Sequence, residues 1–114
     1  MIQRLDVGPR MSEVAVHNGT IYLAGQIADD ADADIRGQTR QVLAAIDALL
    51  ERTGSDKTRI LRAEVFLADM ADFAAMNAEW EAWVVPGHTP PRATVQAALA
   101  RPEWKIEIVV TAAV

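Results

Sequence analysis

The chain has 114 residues, no cysteine, about half of its residues apolar (51%) and a net charge of −5. This length indicates one domain over residues 1–114, and the lack of cysteine excludes disulfides, thiolate catalysis and cysteine-based metal sites. An acidic chain without a block of Lys and Arg repels phosphate backbones, so nucleic acid is a poor candidate partner. No apolar run reaches signal-peptide or membrane-spanning length, which predicts a cytoplasmic protein with no membrane partner.

The chain begins with a predicted loop and hairpin. Residues 8–10 (GPR) are typical of a loop. Residues 12–16 and 20–24 are predicted strands, and Asn18-Gly19 between them supplies the positive φ angles of a tight two-residue turn. Gly25, at the end of the second strand, allows close approach of a ligand or of another part of the chain, or simply a bend.

A helix is predicted after the hairpin. The acidic residues 29–34 lack the spacing of an EF-hand, so a solvated loop is favoured over a metal site. Apolar residues at helical spacing then predict a helix over residues 35–53, capped by Asp34 and terminated at Gly54. Its buried stripe is expected to consist of Val42, Leu43, Ile46, Leu49 and Leu50.

The second half repeats the alternation of strand and helix. Residues 59–67 are a predicted strand with Leu61, Ala63, Val65 and Leu67 on one face. A second helix is predicted from Asp69 or Asp72 to about Val84, and its apolar spacing is Phe73, Met76, Trp80 and Trp83 or Val84. Residues 92–99 and 104–114 are the last two predicted strands.

The predicted order β-β-α-β-α-β-β indicates an α+β fold, a mixed sheet with two helices on one face. The other face is then bare and carries Val95, Val109 and Ala113. An exposed apolar face of this kind indicates a partner, and self-association with closed symmetry is the simplest explanation.

Arg92 and Glu107 are the candidate chemical residues. If the last two strands pair as a hairpin, these side chains can approach one pocket. The planar guanidinium of an arginine binds a carboxylate in a bidentate manner, and a glutamate in a cleft can move a proton or orient a water. The alternatives are a surface ion pair for Arg92 and a solvated strand residue for Glu107, and alternation alone favours the latter.

Four segments together resemble the Rid family (YjgF-type reactive intermediate deaminases), and the resemblance covers nearly the whole chain. They are residues 23–27 (LAGQI), 77–83 (NAEWEAW), 91–95 (PRATV) and 105–108 (KIEI). The resemblance implies a chorismate-mutase-like homotrimer with a central sheet-lined core and clefts between subunits. It implies hydrolysis of small imines, the tautomers of enamines such as 2-aminoacrylate, to 2-keto acids and ammonia without a cofactor or a metal.

The resemblance also implies roles for single residues. Arg92 matches the carboxylate-binding arginine, and Glu107 matches the glutamate that orients or activates water. Asn77 and Gly25 match pocket residues, and Thr94 stands where the prototype has a cysteine, which makes it a candidate substrate contact. The prototype's tyrosine after Gly-Pro is absent here, since residues 10–12 are Arg-Met-Ser, and its serine before Gly-Gln is Ala24.

Several alternatives stay open on the sequence. A carboxylate-binding or regulatory trimer without catalysis would keep the same arginine, and ribonuclease activity is a third possibility that the negative charge disfavours. Asn77 fits a pocket residue or an ordinary hydrogen-bonded asparagine equally well. Trp80 and Trp83 are expected in the core, and His17 and His88 are expected at the surface.

Overall fold

The computed structural model describes residues 1–114 and contains two α-helices and six strands. In chain order the elements are β1 (Gln3–Val7), β2 (Ser12–His17), β3 (Thr20–Leu23), α1 (Ile35–Arg52), β4 (Ile60–Leu67), α2 (Phe73–Trp83), β5 (Arg92–Gln96) and β6 (Ile106–Ala113). Short 3-10 turns precede β4 and α2. The predicted α+β class, mixed sheet and two helices are confirmed, and the sheet has one more strand than predicted.

The additional strand is β1, which lies at one edge of the sheet. It pairs antiparallel with β2, and Leu5 lies opposite the buried Val14. Leu5 is the one residue of β1 that is half-buried, because an edge strand packs against a single neighbour. With one partly buried side chain in five, the strand carries too little alternation to be predicted from sequence.

The strand order is β1-β2-β3-β6-β4-β5. The predicted hairpin of β2 and β3 is confirmed, and its turn residues Asn18 and Gly19 have φ angles of 52° and 77°. All pairs are antiparallel except β4 and β5, which are parallel because α2 carries the chain back across the sheet.

The predicted pairing of the last two strands as a hairpin is wrong. β4 lies between them and pairs with β5 on one side and with β6 on the other. The physical reason is the helical crossover, which places β5 beside β4 and leaves the opposite edge of β4 for the final strand. This arrangement changes the position of Arg92 relative to Glu107.

Both helices cover the same face of the sheet. The core contains all five predicted residues of α1, Met76 and Trp80 of α2, and one face of the central strands. Two residues differ from the prediction: Leu61 is 50% exposed, because an irregularity in the β4 register turns Ile60 into the core, and Phe73 is 41% exposed. Phe73 is the first residue of α2, and the buried side chains of this helix, Met76 and Trp80, come later along it.

Helix α1 has the predicted ends and one buried polar anchor. Asp34 accepts a hydrogen bond from Gly37 N at 2.8 Å, and Gly54 follows the helix with a φ of 77°. Gln38 is fully buried; its Oε1 accepts from Lys105 N at 2.9 Å and its Nε2 donates to Glu103 O at 3.2 Å. Gln38 therefore fixes the segment that leads into β6.

The opposite face of the sheet, here called the open face, is not covered by either helix. Tyr22 and Val95 on this face are 52% and 46% exposed, and Val109 and Ala113 are half-buried by their neighbours. The predicted bare apolar face is therefore present. No helix of the chain is both long and apolar enough to cross a lipid bilayer.

Candidate functional site

Arg92 lies on the helix-covered face at the start of β5. It pairs with Ala63 of β4, which is fully buried under the helices. Its guanidinium contacts three side chains of α2: Nη2 donates to Asn77 Oδ1 at 2.7 Å, Nη1 lies 3.8 Å from Met76 Sδ, and Cζ lies 5.1 Å from the centre of the Trp80 ring. These three residues are neighbours on one side of the helix, so α2 holds the guanidinium in a fixed orientation.

Arg92 is half-buried but has no carboxylate partner in the chain. Five other arginines do: Arg36 and Arg40 pair with Glu79, Arg52 with Asp6, Arg62 with Glu64, and Arg101 with Glu103. Burial lowers the pKa of the Arg92 guanidinium from its ordinary value, and the charge of Glu81 acts in the opposite direction. A partly desolvated cation with no carboxylate within ion-pair distance is suited to an anion, and about three of its five N–H donors remain unused.

Thr94 lies on the same face, two residues after Arg92. It pairs with the buried Val65, and its Oγ1 is buried without a hydrogen-bond partner. An unpaired buried hydroxyl costs about 1–3 kcal/mol, so Thr94 Oγ1 is a candidate contact for a bound ligand. Arg92, Asn77 and Thr94 are together called the Arg92 half-site below.

Replacing Thr94 with Val is expected to stabilise the free protein by about 1 kcal/mol, because the unpaired hydroxyl is removed at little change in shape. If Thr94 also contacts ligand, the same variant should bind a 2-keto acid several-fold more weakly, by about 1 kcal/mol. Urea unfolding and calorimetry measure the two effects. Thr39→Val is the matched control, since Thr39 Oγ1 donates to Ile35 O at 2.7 Å and its loss should not stabilise. A lower stability of Thr94→Val would contradict the assignment of an unpaired hydroxyl.

Glu107 lies on the open face, opposite Phe66 of β4. Its carboxylate lies against Gly25: a Cβ added at Gly25 would overlap the carboxylate oxygen and would come within 2.8 Å of Glu107 Cδ. Glycine is therefore required at position 25 for the side chain of Glu107 to keep this position. Glu107 and Gly25 are together called the Glu107 half-site below.

The backbone around Gly25 forms a β-bulge. From the pair Tyr22–Thr111 to the pair Gln26–Ile108, the segment after β3 advances by four residues whereas β6 advances by three. The segment that contains Gly25 therefore has one extra residue. Bulges interrupt the regular ladder and redirect backbone groups, often next to active sites. Here the N–H of Gly25 donates no hydrogen bond within the chain, so a free backbone donor lies next to the Glu107 carboxylate.

The two half-sites lie on opposite faces of the sheet. Ala63 pairs with both Arg92 and Val110, so these three side chains share the helix-covered face. Glu107 is three residues from Val110 on the same strand, and alternation places it on the open face. The five predicted site residues therefore form two groups, and one chain does not bring Arg92 and Glu107 into a common pocket.

The chain has two surface cavities, and neither includes a predicted site residue. One, of about 270 Å³, lies between α1 and α2 and is lined by Arg40, Asp47, Lys57, Glu79 and Trp83 among others. The other, of about 250 Å³, lies near the end of α1 beside β1 and β2. The polar groups of the first cavity pair with one another, for example Trp83 Nε1 with Asp47 Oδ2 at 2.9 Å. Neither cavity therefore contains Arg92 or Glu107.

Some residues of both half-sites were not predicted from the sequence. Trp80 is a core residue as predicted, at 6% exposure, but its ring also lies against the guanidinium of Arg92. Met76 is likewise buried in the core, and its sulfur contacts the same guanidinium. Near the Glu107 half-site, Gln26 Nε2 donates to Glu13 Oε2 at 3.0 Å. The helical spacing of Met76 and Trp80 is visible in the sequence. No local sequence pattern indicates the contact between Glu13 and Gln26, which are 13 positions apart.

The sequence and the fold match those of known proteins. The family model described as endoribonuclease L-PSP matches residues 1–114. A RutC family protein of Haemophilus ducreyi is 53% identical over 114 residues, which cover 100% of this chain and 97% of the relative. The crystal structure of NMB1025 from Neisseria meningitidis, a member of the YjgF protein family, has a TM-score of 0.96 and 46% identity over 99% of this chain and 94% of that chain.

A further crystal structure carries the Rid name itself. The protein YyfA of Yersinia pestis, of the conserved Rid protein family, has a TM-score of 0.88 and 32% identity over 95% of this chain and 90% of that chain. The chain belongs to the endoribonuclease L-PSP family, whose members also carry the names RutC, YjgF and Rid. The resemblance to the Rid family that the sequence motifs indicate is thereby confirmed.

Proposed function

We propose that the protein hydrolyses small 2-imino and 2-enamino acids to 2-keto acids and ammonia without a cofactor. The observation that carries this proposal is Arg92: a half-buried guanidinium, held by Asn77, Met76 and Trp80, that has no carboxylate partner in its own chain. Such a group suits the carboxylate of a small acid. The confirmed membership in a family that includes Rid proteins supports the same substrate class.

Hydrolysis of an imine requires that the substrate is oriented and that one group transfers protons. Water adds to the imine carbon, and a proton passes to the imine nitrogen, which gives a tetrahedral carbinolamine. This intermediate collapses to the 2-keto acid as the C–N bond breaks and ammonia leaves. Glu107 is suited to accept the proton of the attacking water and to return it to the nitrogen. The free N–H of Gly25 can donate to the substrate carboxylate or to the developing oxyanion.

Arg92 and Glu107 can act on one substrate if they come from different subunits. The open face carries exposed apolar side chains, which favours burial against another copy of the chain. A ring of three subunits joins two different surfaces at each interface, so it can bring the Arg92 half-site of one chain to the Glu107 half-site of the next. We therefore propose a homotrimer with one shared site at each interface.

This assembly predicts a specific effect of a charge on the open face. Wild-type protein should have about three times the mass of one chain by light scattering at micromolar concentration. Val95→Glu places a charge in the buried interface and should give monomers that have lost turnover. Ala48→Glu, on the exposed face of α1, should remain trimeric and active. A stable wild-type monomer at micromolar concentration would remove both the trimer and the shared site.

The proposed reaction is tested by generating 2-aminoacrylate in situ with a pyridoxal-phosphate-dependent dehydratase. Keto-acid and ammonia formation are followed with and without the protein, and the enamines of several amino-acid precursors are compared. Acceleration of keto-acid release is expected for small side chains. Absence of acceleration with every precursor would exclude the reaction.

A carboxylate-binding or regulatory trimer without catalysis is the alternative, because the Arg92 half-site alone explains ligand binding. Calorimetry that detected 2-keto acid binding by a protein without turnover would favour it. RNA cleavage, which the family description names, is a weaker candidate because the net charge is −5 and five arginines form ion pairs with four carboxylates. Incubation with labelled single-stranded RNA is expected to leave the RNA intact.

A further inference from the structure

Glu13 and Gln26 lie beside the Glu107 half-site, and neither takes part in the chemical steps of the proposed reaction. Gln26 is 9% exposed and is one of three buried polar residues of the chain. Its Nε2 donates to Glu13 Oε2 at 3.0 Å and to Ala24 O at 3.0 Å. Both hydrogens of the carboxamide nitrogen are therefore used, and the orientation of the side chain is fixed.

The same residues are joined through the backbone. Ala24 N donates to Glu13 O at 2.9 Å. Gln26 N donates to Ile108 O at 2.9 Å, and Ile108 N donates to Gln26 O at 3.1 Å. The bulge at Gly25 is thus attached to β2 on one side and to β6 on the other, one residue from Glu107.

Glu13 has an unusual environment for a carboxylate. It is half-buried, no Lys, Arg or His lies within ion-pair distance of it, and its side chain accepts its one hydrogen bond from a neutral amide. The side chain of Glu13 is therefore directed at Gln26 and not at a cation. Hydrogen bonds from residues around a site hold the groups of that site in place, and the Glu13–Gln26 pair is placed to supply them.

We infer that Glu13 and Gln26 form a positioning pair that fixes the Gly25 bulge against the Glu107 carboxylate. Glu13 holds Gln26, Gln26 holds the bulge, and the bulge determines where the Gly25 N–H and the Glu107 carboxylate lie. Neither residue takes a proton from the substrate. This inference rests on the proposed function for its effect on turnover, but its structural part can be measured without any substrate.

The positioning pair is tested with two variants of Glu13, each studied in the native assembly of the protein. Glu13→Gln keeps an oxygen that accepts the hydrogen bond from Gln26, whereas Glu13→Ala removes it. We expect Glu13→Ala to shift the Gly25 amide and the Gln26 side-chain amide signals in ¹⁵N–¹H spectra. We expect kcat to fall about ten- to hundredfold with KM nearly unchanged, as for a reacting group displaced by a fraction of an ångström. Glu13→Gln should restore both the spectra and kcat to near wild-type values.

The controls separate this inference from the proposed reaction and from a general loss of stability. Glu51→Ala, an exposed carboxylate of α1, should change neither the spectra nor kcat. If wild-type protein shows no turnover, the proposed reaction fails, and the spectra of the two variants still decide the positioning pair. Unchanged Gly25 and Gln26 signals in Glu13→Ala would overturn the inference. Equal losses of kcat in Glu13→Ala and Glu13→Gln would overturn it as well, since a hydrogen-bond acceptor would then not be what matters.

Discussion

Replacing Glu107 with Gln is expected to lower kcat by about a hundredfold or more while leaving the binding of a 2-keto acid unchanged. The reason is that in the proposed mechanism Glu107 acts where bonds change, at the attacking water and the imine nitrogen, and an amide cannot accept and return that proton. The size and shape of the side chain are nearly conserved, so the contact with Gly25 should persist. Turnover of enamine generated in situ and calorimetry with pyruvate measure the two quantities on the same preparation.

Glu64→Gln is the matched control for this variant, because Glu64 lies on the same open face and is also half-buried. It should turn over substrate at the wild-type rate. If Glu107→Gln bound pyruvate normally and turned over normally, Glu107 would be a strand residue without a chemical role. The catalytic part of the proposal would then be withdrawn, and a carboxylate-binding assembly would remain.

Replacing Arg92 with Lys is expected to cost about 2–4 kcal/mol in kcat/KM, a loss of some tens to several hundredfold. In the proposed reaction the substrate carboxylate bound by Arg92 keeps its charge throughout, so the loss should be mainly in binding. Lysine retains the charge but lacks the planar guanidinium, which can bind a carboxylate through two hydrogen bonds and which Asn77 and Trp80 hold in place. Pyruvate affinity and kcat/KM are the measurements.

Arg101→Lys provides the control for Arg92→Lys, since Arg101 is exposed and pairs with Glu103. It should leave pyruvate affinity unchanged. Wild-type affinity in Arg92→Lys would show that charge alone suffices, and the contacts of the guanidinium with α2 would then be structural. A loss confined to kcat would contradict a binding role for Arg92.

Local patterns were sufficient for most of the fold. The apolar stripe of α1 and the Asn18-Gly19 turn depend on residues close in sequence, and both are found as predicted. The edge strand β1 was missed because an edge buries too few side chains to produce alternation. The position of β4 between β5 and β6 depends on where a helical crossover returns, which strand patterns do not record.

The candidate site could be predicted only in its parts. Arg92, Asn77 and Thr94 share one face, and Gly25 and Glu107 share the other, so the residue types were found but not their arrangement. The assignment of a common pocket within one chain depended on a hairpin that does not form. Because alternation puts the two half-sites on opposite faces, a shared site requires a second chain.

Whether Arg92 of one subunit and Glu107 of the next complete one site is tested by mixing two variants of low kcat/KM and assaying them at substrate concentrations well below KM, where both are nearly inactive. Arg92→Lys and Glu107→Gln chains are unfolded together in equal amounts, refolded, and assayed beside each variant refolded alone. Each shared site needs an intact Arg92 from one chain and an intact Glu107 from its neighbour, each present in about half of the chains, so about a quarter of wild-type activity should return. If the mixture is no more active than the separately refolded variants, the two residues do not act across an interface.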